Sequence, residues 1–271
     1  MTTNNSLALI TGASSGIGLE LAKCFVRDGH DVILVAEDRG GLESAAQEVR
    51  AAGGGRVEII VADLSRQDGA RIVFDQVGGR DLDVLVNNAG VGVYGKFIET
   101  DLDEEISMIH LNTISFVQLT KYFAPKMVQR GSGRILITAS VASKMPTPYL
   151  TVYGATKAFV YELAQGLRAE LQDTGVTVTA LMPGPTDTNF FERAHAQDSK
   201  ILDEKLTDPA DVARAGYDAL MKGQDKIVVP LKYKIQTAMN QAVPDKVVAK
   251  QSLKKHEPRD QEDREENRTE R

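Results

Sequence analysis

Seven short apolar runs recur along the chain, and their unbroken rather than alternating character is what most restricts its fold. They are LALIT (7–11), DVILVA (31–36), VEIIVA (57–62), LDVLVNN (82–88), GRILITAS (133–140), VTVTALMP (176–183) and KIVVP (226–230). A strand with one face in water alternates apolar and polar residues, whereas a strand covered on both faces does not. Stretches of helical periodicity separate the runs. One reaches from a glycine-rich turn to about Asp28, one spans 39–53 and ends on glycines, and others lie near 66–78, 101–130, 153–174 and 208–222. Strand alternating with helix predicts right-handed crossovers and an α/β fold: a doubly wound parallel sheet of about seven strands with helices on both faces.

The 271 residues are 42% apolar and 26% charged, the balance of a chain that buries a substantial core. No repeat and no Pro- or Ser-rich linker divides it, so a single domain over 1–249 is expected. From about Lys250 the sequence KQSLKKHEPRDQEDREENRTER offers almost nothing to bury, and a disordered tail or frayed helix over 250–271 is expected. The preceding YKIQTAMNQAVPDKVVAKQSL has apolar residues at helical spacing, suited to packing on the domain or on another subunit. A net charge of -6 argues against a general nucleic-acid binder. The one cysteine, Cys24, suits the buried face of a helix and cannot form an internal disulfide. The N-terminus lacks a basic region followed by a long apolar run, and no stretch approaches the roughly 18 apolar residues of a membrane span. A cytoplasmic protein is expected.

The turn TGASSGIG (11–18) follows the first strand and opens the first helix. A phosphate approaches a main chain closely only where no Cβ intrudes, and a helix start offers free N–H groups and a positive dipole end. Gly12, Gly16 and Gly18 therefore mark a dinucleotide pyrophosphate site, with Gly16 and Gly18 expected nearest the phosphates. A carboxylate at the end of the second strand can hold the adenosine ribose hydroxyls, and Glu37 and Asp38 stand at that place. They would repel a 2′-phosphate and favour NAD; Arg39 would pair with that phosphate and favour NADP.

In SVASKMPTPYLTVYGATKAFVYELAQGL, Tyr153 and Lys157 are four residues apart on a helical pattern and share one face. A fixed cation beside a phenol favours phenolate and lowers its pKa from about 10. Ser140, at the end of the fifth strand, can hydrogen-bond a carbonyl or hydroxyl oxygen. Together they can move a proton to or from an alcohol while a cofactor moves the hydride.

With these residues in place the chain resembles the short-chain dehydrogenase/reductase family over roughly residues 6 to 230. TGASSGIG is similar to its cofactor turn, ADL (62–64) to its adenine contact and NNAG (87–90) to its strand-four signature. Asn112 in HLNTIS, Ser140, YGATK and PGPTDT (183–188) follow in the family's order. The resemblance implies a Rossmann-like fold and an NAD(P)-dependent oxidoreductase acting on a carbonyl or secondary alcohol. It implies Tyr153 as general acid/base and Lys157 as the group that lowers its pKa and holds the nicotinamide ribose. Ser140 would polarise the substrate oxygen, and Asn112 would hold a water on a proton path. Ser14, Ser15 and Ile17 would share the turn with the glycines. Asp63 and Leu64 would meet the adenine, and Asn88, Ala89 and Gly90 would line the cleft. Pro183, Gly184, Thr186 and Thr188 would support the nicotinamide end. Where many NADP-using relatives read VAR, this chain reads VAED, which puts NADP in doubt.

For the substrate, Met145 and Tyr149 are expected to face inward from one wall, and Phe190 and Phe191 either line an apolar pocket from the other or only anchor the lid, with His195 a solvated loop residue. No arginine cluster stands out for an acyl-carrier protein or a coenzyme A phosphate. A small to medium, largely apolar ketone or secondary alcohol fits these residues, and no metal is expected. A 3-oxoacyl thioester reductase and a non-catalytic dinucleotide-binding sensor are the alternatives. The family also implies a homodimer or homotetramer, with the helices at about 101–130 and 153–174 as contact surface.

Overall fold

The computed structural model describes residues 6–240 and 243–259, and of residues 236–240 the helical backbone alone. All seven apolar runs form strands: β1 (Leu7–Thr11), β2 (Asp31–Ala36), β3 (Val57–Val61), β4 (Val84–Asn87), β5 (Gly133–Thr138), β6 (Val176–Pro183) and β7 (Lys226–Val229). They make one parallel sheet in the order β3-β2-β1-β4-β5-β6-β7. The order reverses between β1 and β4. Consecutive crossovers run outward in opposite directions from that point and leave a crevice at the strands' carboxyl ends.

The helices are α1 (Gly16–Arg27), α2 (Arg39–Ala52), α3 (Gly69–Val77), α4 (Leu102–Ile109), α5 (Ser115–Arg130), α6 (Thr151–Leu171), α7 (Phe190–Arg193), α8 (Pro209–Met221), α9 (Leu231–Asn240) and α10 (Asp245–His256). Each face of the sheet carries its own core. Leu21, Phe25, Leu42, Val49, Val212 and Leu220 from α1, α2 and α8 cover Ile10, Leu34, Val86 and Leu181. Phe116, Leu119, Phe123 and Val160 from α5 and α6 cover Leu9, Ile33, Leu85 and Ile135 on the other side. Every central strand therefore has apolar neighbours above and below, which is why its sequence does not alternate. Cys24 is buried on the inner face of α1, as a small core residue.

Two features depart from the expected elements. The helix expected over 101–130 is interrupted by a π-helical turn, His110–Ile114, whose wider backbone carries Asn112 inward. The charged tail does not start at Lys250: α10 runs through that position to His256. Residues to Arg259 then pack on the loop after β6, through a Ser199–Pro258 bridge and ion pairs Lys200–Glu257 and Arg259–Asp203. The remaining tail, 260–271, lies outside the described residues. No described helix is long and apolar enough to cross a membrane.

Candidate active site

The crevice begins at the turn between β1 and α1. Gly12 and Gly16 both have positive φ, 65° and 55°, a region closed to most side chains. A Cβ on Gly12 would stand 2.8 Å from the Ala89 Cα, and one on Gly16 would stand 2.8 Å from the Thr188 methyl. The turn, the end of β4 and the segment after β6 thus meet with no space for a side chain, and Gly12, Ser14, Ser15, Gly16 and Ile17 line the crevice they enclose. This is a cradle a dinucleotide pyrophosphate fits, with the start of α1 facing it. Gly18 is different: it does not line the crevice but lies beneath the turn, where a Cβ would come within 2.2 Å of the Gly12 carbonyl oxygen. Its role is packing.

Thr11 and Asn88 hold the cradle. The Thr11 hydroxyl accepts the backbone N–H groups of Asn88 and Ala89 at 2.9 and 3.0 Å, while the Asn88 amide donates to the Thr11 carbonyl at 3.0 Å. Thr138 donates to Asn88 at 3.1 Å, so β1, β4 and β5 are tied at their ends. Asn88, Ala89 and Gly90 line the crevice as expected.

At its adenosine end the crevice is lined by Ala36, Glu37, Asp38, Ala62, Asp63 and Leu64. The Asp38 carboxylate caps α2, accepting the N–H groups of Gly40 and Gly41 at 3.1 and 2.8 Å. Arg39 does not line the crevice. As the first residue of α2 it reaches Glu43, at 3.8 Å. Glu37 is left as the exposed carboxylate at the end of β2 that faces the crevice without a capping duty.

The second constellation gathers on the same edge. Tyr153 and Lys157 start α6, and Ser140 follows β5 within hydrogen-bonding reach of the Tyr153 hydroxyl. The Lys157 Nζ donates to the Thr138 carbonyl at 3.0 Å and lies 5.8 Å from the centroid of the Tyr153 ring. All three residues line the crevice. The electrostatics run against the expected sign. Burial pushes the Tyr153 phenol up to about 12, with the Ser140 hydrogen bond pulling it down. Burial also lowers Lys157, to about 8. Each group's charged form is disfavoured by the low-dielectric surroundings, which is the leading cause of both shifts.

Asn112 stands behind this pair rather than in the crevice wall. Its side chain accepts from the Val91 N–H at 3.0 Å and donates to the Val91 carbonyl and the Thr156 hydroxyl at 2.9 and 3.0 Å. A Cβ on Gly90 would lie 3.1 Å from Asn112 Oδ1 and 3.2 Å from Lys157 Nζ, so the bare glycine lets these two polar atoms converge.

Pro183, Gly184, Thr186 and Thr188 form the wall beyond β6, with the Thr186 hydroxyl donating to the Gly184 carbonyl at 2.8 Å. On the substrate side Met145, Phe190 and Phe191 line the crevice, and the Phe190 ring lies 5.0 Å from that of Tyr153. Tyr149 does not: its φ is 63° and its ring stacks on Tyr94 at 5.6 Å. His195 is an exposed loop residue with φ 55° and stays out of the crevice. Tyr233 and Glu204, and the α10 residues Val248, Gln251, Ser252, Lys255 and His256, also line the crevice, although no motif marks them in the sequence. The helical spacing of that segment was the available signal.

A doubly wound sheet with a glycine cradle at its switch point, and a serine–tyrosine–lysine group lining the same crevice, defines a nicotinamide-dinucleotide oxidoreductase. The short chain dehydrogenase family profile matches residues 6–199, and the chain belongs to that family. Among curated relatives, 17-beta-hydroxysteroid dehydrogenase type 3 of Danio rerio is 35% identical, over 65% of this chain and 59% of the relative, so the match spans less than two thirds of that protein. Ketoacyl reductase HetN of Nostoc sp. is 31% identical over 84% of this chain and 79% of its own. A short-chain dehydrogenase from Sphingobium yanoikuyae, solved in complex with NADPH, superposes with a TM-score of 0.79 at 33% identity, covering 88% of this chain and 94% of the other. The chain is a dehydrogenase/reductase of this family, with NAD(P) as its cofactor class.

Proposed function

We propose that the protein interconverts a ketone and a secondary alcohol, with Tyr153 as general acid/base. The observation that carries this reading is the convergence of the Tyr153 hydroxyl, Ser140 and the Lys157 ammonium in one crevice. Bound NAD(P) supplies or accepts the hydride. The chain does the rest. Ser140 hydrogen-bonds the substrate oxygen and fixes it beside the phenol. Tyr153 donates its proton to that oxygen in reduction and removes it in oxidation, and a phenol held protonated is ready to act as the acid. Lys157, held by Thr138, presents N–H donors to the nicotinamide ribose and stabilises phenolate as it develops. Asn112 holds the Val91 backbone and, through a water, connects Lys157 to solvent. Gly12, Ser14, Ser15, Gly16 and Ile17 hold the pyrophosphate, and Asp63 and Leu64 the adenine. Tyr153→Phe tests the reading: turnover should fall by about 10²–10⁴-fold while the affinity for cofactor, followed by NADH or NADPH fluorescence, is kept. Unchanged turnover would leave a cofactor-binding sensor as the better account.

Within the cofactor class we favour NAD(H), because Glu37 faces the crevice and would repel a 2′-phosphate, while Arg39 turns away to Glu43. The NADPH-bound relative supports the other choice. The ketoacyl reductase relative keeps a 3-oxoacyl thioester as the second substrate reading. A homodimer or homotetramer is part of the proposal, supported by exposed Leu102 and Ile106 on α4 and Phe159 on α6. A cytoplasmic setting accords with the single buried thiol.

A further inference from the structure

Beyond the reacting centre the crevice changes character, and the change comes from the chain's last helices. Val248, Ser252 and His256 recur every four residues on α10 and form its buried face, while Gln251 and Lys255 flank them and reach the same crevice. Tyr233 of α9 lies against Gly184, where a Cβ would stand 2.4 Å from its ring, so this wall is built directly on the nicotinamide-end turn. Glu204, on the loop after β6, joins the pieces. Its carboxylate accepts from the Tyr233 hydroxyl at 2.8 Å and from Lys255 Nζ at 2.7 Å, with Lys232 at 3.6 Å.

The charges on this wall are unequal. Among the described residues that line this end of the crevice, Arg193 of α7 and Lys255 stand with one carboxylate, Glu204, which pairs with Lys255 and, outside the lining, with Lys232, whereas the neighbouring Lys200 and Arg259 are matched by Glu257 and Asp203. Positive charge is therefore in excess on this lining, in a chain whose net charge is -6. The lining these residues share with Tyr153 is largely apolar: Met145, Leu150, Phe190 and Ile201, with the Phe190 ring 5.0 Å from that of Tyr153. An apolar passage ending at surplus cations selects a molecule of the same pattern.

We propose that the substrate is an amphipathic oxo acid (or the matching hydroxy acid): its carbonyl meets Tyr153, its apolar body follows the passage, and its carboxylate binds Arg193 and Lys255. Glu204 is the stand-in for that carboxylate and yields Lys255 to the ligand. The inference rests on the proposed carbonyl reduction for the reacting end alone.

The test uses levulinate and its longer homologues, each beside its methyl ester, with the full chain and its preferred cofactor. For the homologue of best length, kcat/KM should favour the acid over the ester by about tenfold or more. Arg193→Gln and Lys255→Gln should each remove most of that preference by raising KM for the acid, leaving kcat and the ester's constants unchanged. Added salt should weaken the acid and spare the ester. Glu204→Gln should bind the acid at least as well as wild type, since the competing carboxylate is gone. An ester preferred by wild type, or an acid-to-ester ratio that neither lysine nor arginine variant moves, overturns the subsite. Tyr153→Phe separates the two readings, because it should abolish turnover of acid and ester alike. If wild type turns over neither, calorimetric titration of the same acids onto the cofactor-saturated protein still decides: binding weakened by both variants supports the subsite, and binding indifferent to them overturns it.

Discussion

Lys157 is joined to Thr138 by a 3.0 Å hydrogen bond from its ammonium to the backbone carbonyl, at a position only 4% exposed. The bond links the start of α6 to the end of β5 and brings the cation to the crevice. It is bought at a cost in stability. Burial lowers the pKa from its ordinary 10.5 to about 8, so holding the charge at neutral pH costs about 3 kcal/mol relative to the neutral amine.

Lys157→Met should therefore separate stability from function. Removing the buried charge outweighs the one lost hydrogen bond, and the melting temperature should rise by a few degrees while turnover collapses. In the wild type the sign with pH follows. Between about 8 and 10.5 the unfolded chain holds the proton that the folded chain has released, so this lysine's penalty fades as pH rises through that window. Melting curves of both proteins across the window check it: the gap between them should narrow at the alkaline end.

Cofactor choice should be decided by Glu37. Asp38 has both carboxylate oxygens committed to the α2 N-terminus, and Arg39 extends toward Glu43, so neither competes for the ribose as directly. Glu37→Arg is expected to shift the ratio of kcat/KM for NADPH over NADH upward by about tenfold or more, since a repulsive carboxylate becomes a phosphate donor. Steady-state kinetics with both cofactors measures it. Asp38→Ala should instead mainly cost helix stability, about 1 kcal/mol, as the loss of a cap.

The sheet was legible because two-sided burial leaves an unbroken apolar signature; β1, β2 and β6 appear with the bounds expected from sequence, and the others within a few residues. Residues that line the crevice were legible where backbone geometry demands a residue type, as at Gly12 and Gly16, or where a spaced chemical pattern stands out, as at Ser140, Tyr153 and Lys157. Contacts that arise only in three dimensions were not. Gly18 serves packing against the Gly12 carbonyl rather than phosphate, and Tyr149 turns toward Tyr94 because of its left-handed backbone. Lys250 to His256 look unburiable by composition, yet Ser252 and His256 are buried, because burial on α10 follows its four-residue spacing and not its overall charge. The sign of the Tyr153 shift was missed for a related reason: pairing is visible in the sequence, whereas burial is not.

His256 gives α10 a pH dependence. Its Nδ1 lies 2.8 Å from the Ser252 carbonyl, and its own carbonyl accepts from Tyr94 and Ser199. Burial holds its pKa below the ordinary 6.5, with the Ser252 contact and Glu204 pulling upward and Lys255 downward. The folded chain thus keeps this imidazole neutral where the unfolded chain takes a proton. The stability that depends on the neutral form is complete above about 6.5 and declines as pH falls toward the lowered value. Amide-exchange protection across α10, corrected for the fall of intrinsic exchange with pH, should decrease on acidification through that range, ahead of protection in the central strands. His256→Gln should abolish the acid dependence of α10; a helix whose protection factors are the same at both pH values in the wild type would show that His256 does not couple to it.

Asn112 should prove a positioning residue whose loss reaches the cofactor through Val91. It is fully buried, and two of its three hydrogen bonds hold both polar groups of the Val91 backbone, a residue that itself lines the crevice, while the third reaches the Thr156 hydroxyl. Asn112→Ala leaves the Val91 N–H and carbonyl without that partner. Thr156 fares better, since its hydroxyl also donates to the Tyr153 carbonyl at 2.7 Å. Stranding two buried backbone groups costs about 2–4 kcal/mol, which denaturant titration would read as a lower midpoint at unchanged slope. Freed of its anchor, the segment after β4 should also raise KM for the cofactor. If stability fell by that amount with cofactor KM unchanged, Asn112 would be a structural residue alone, and the link from the π-helical turn to the crevice would have to be abandoned.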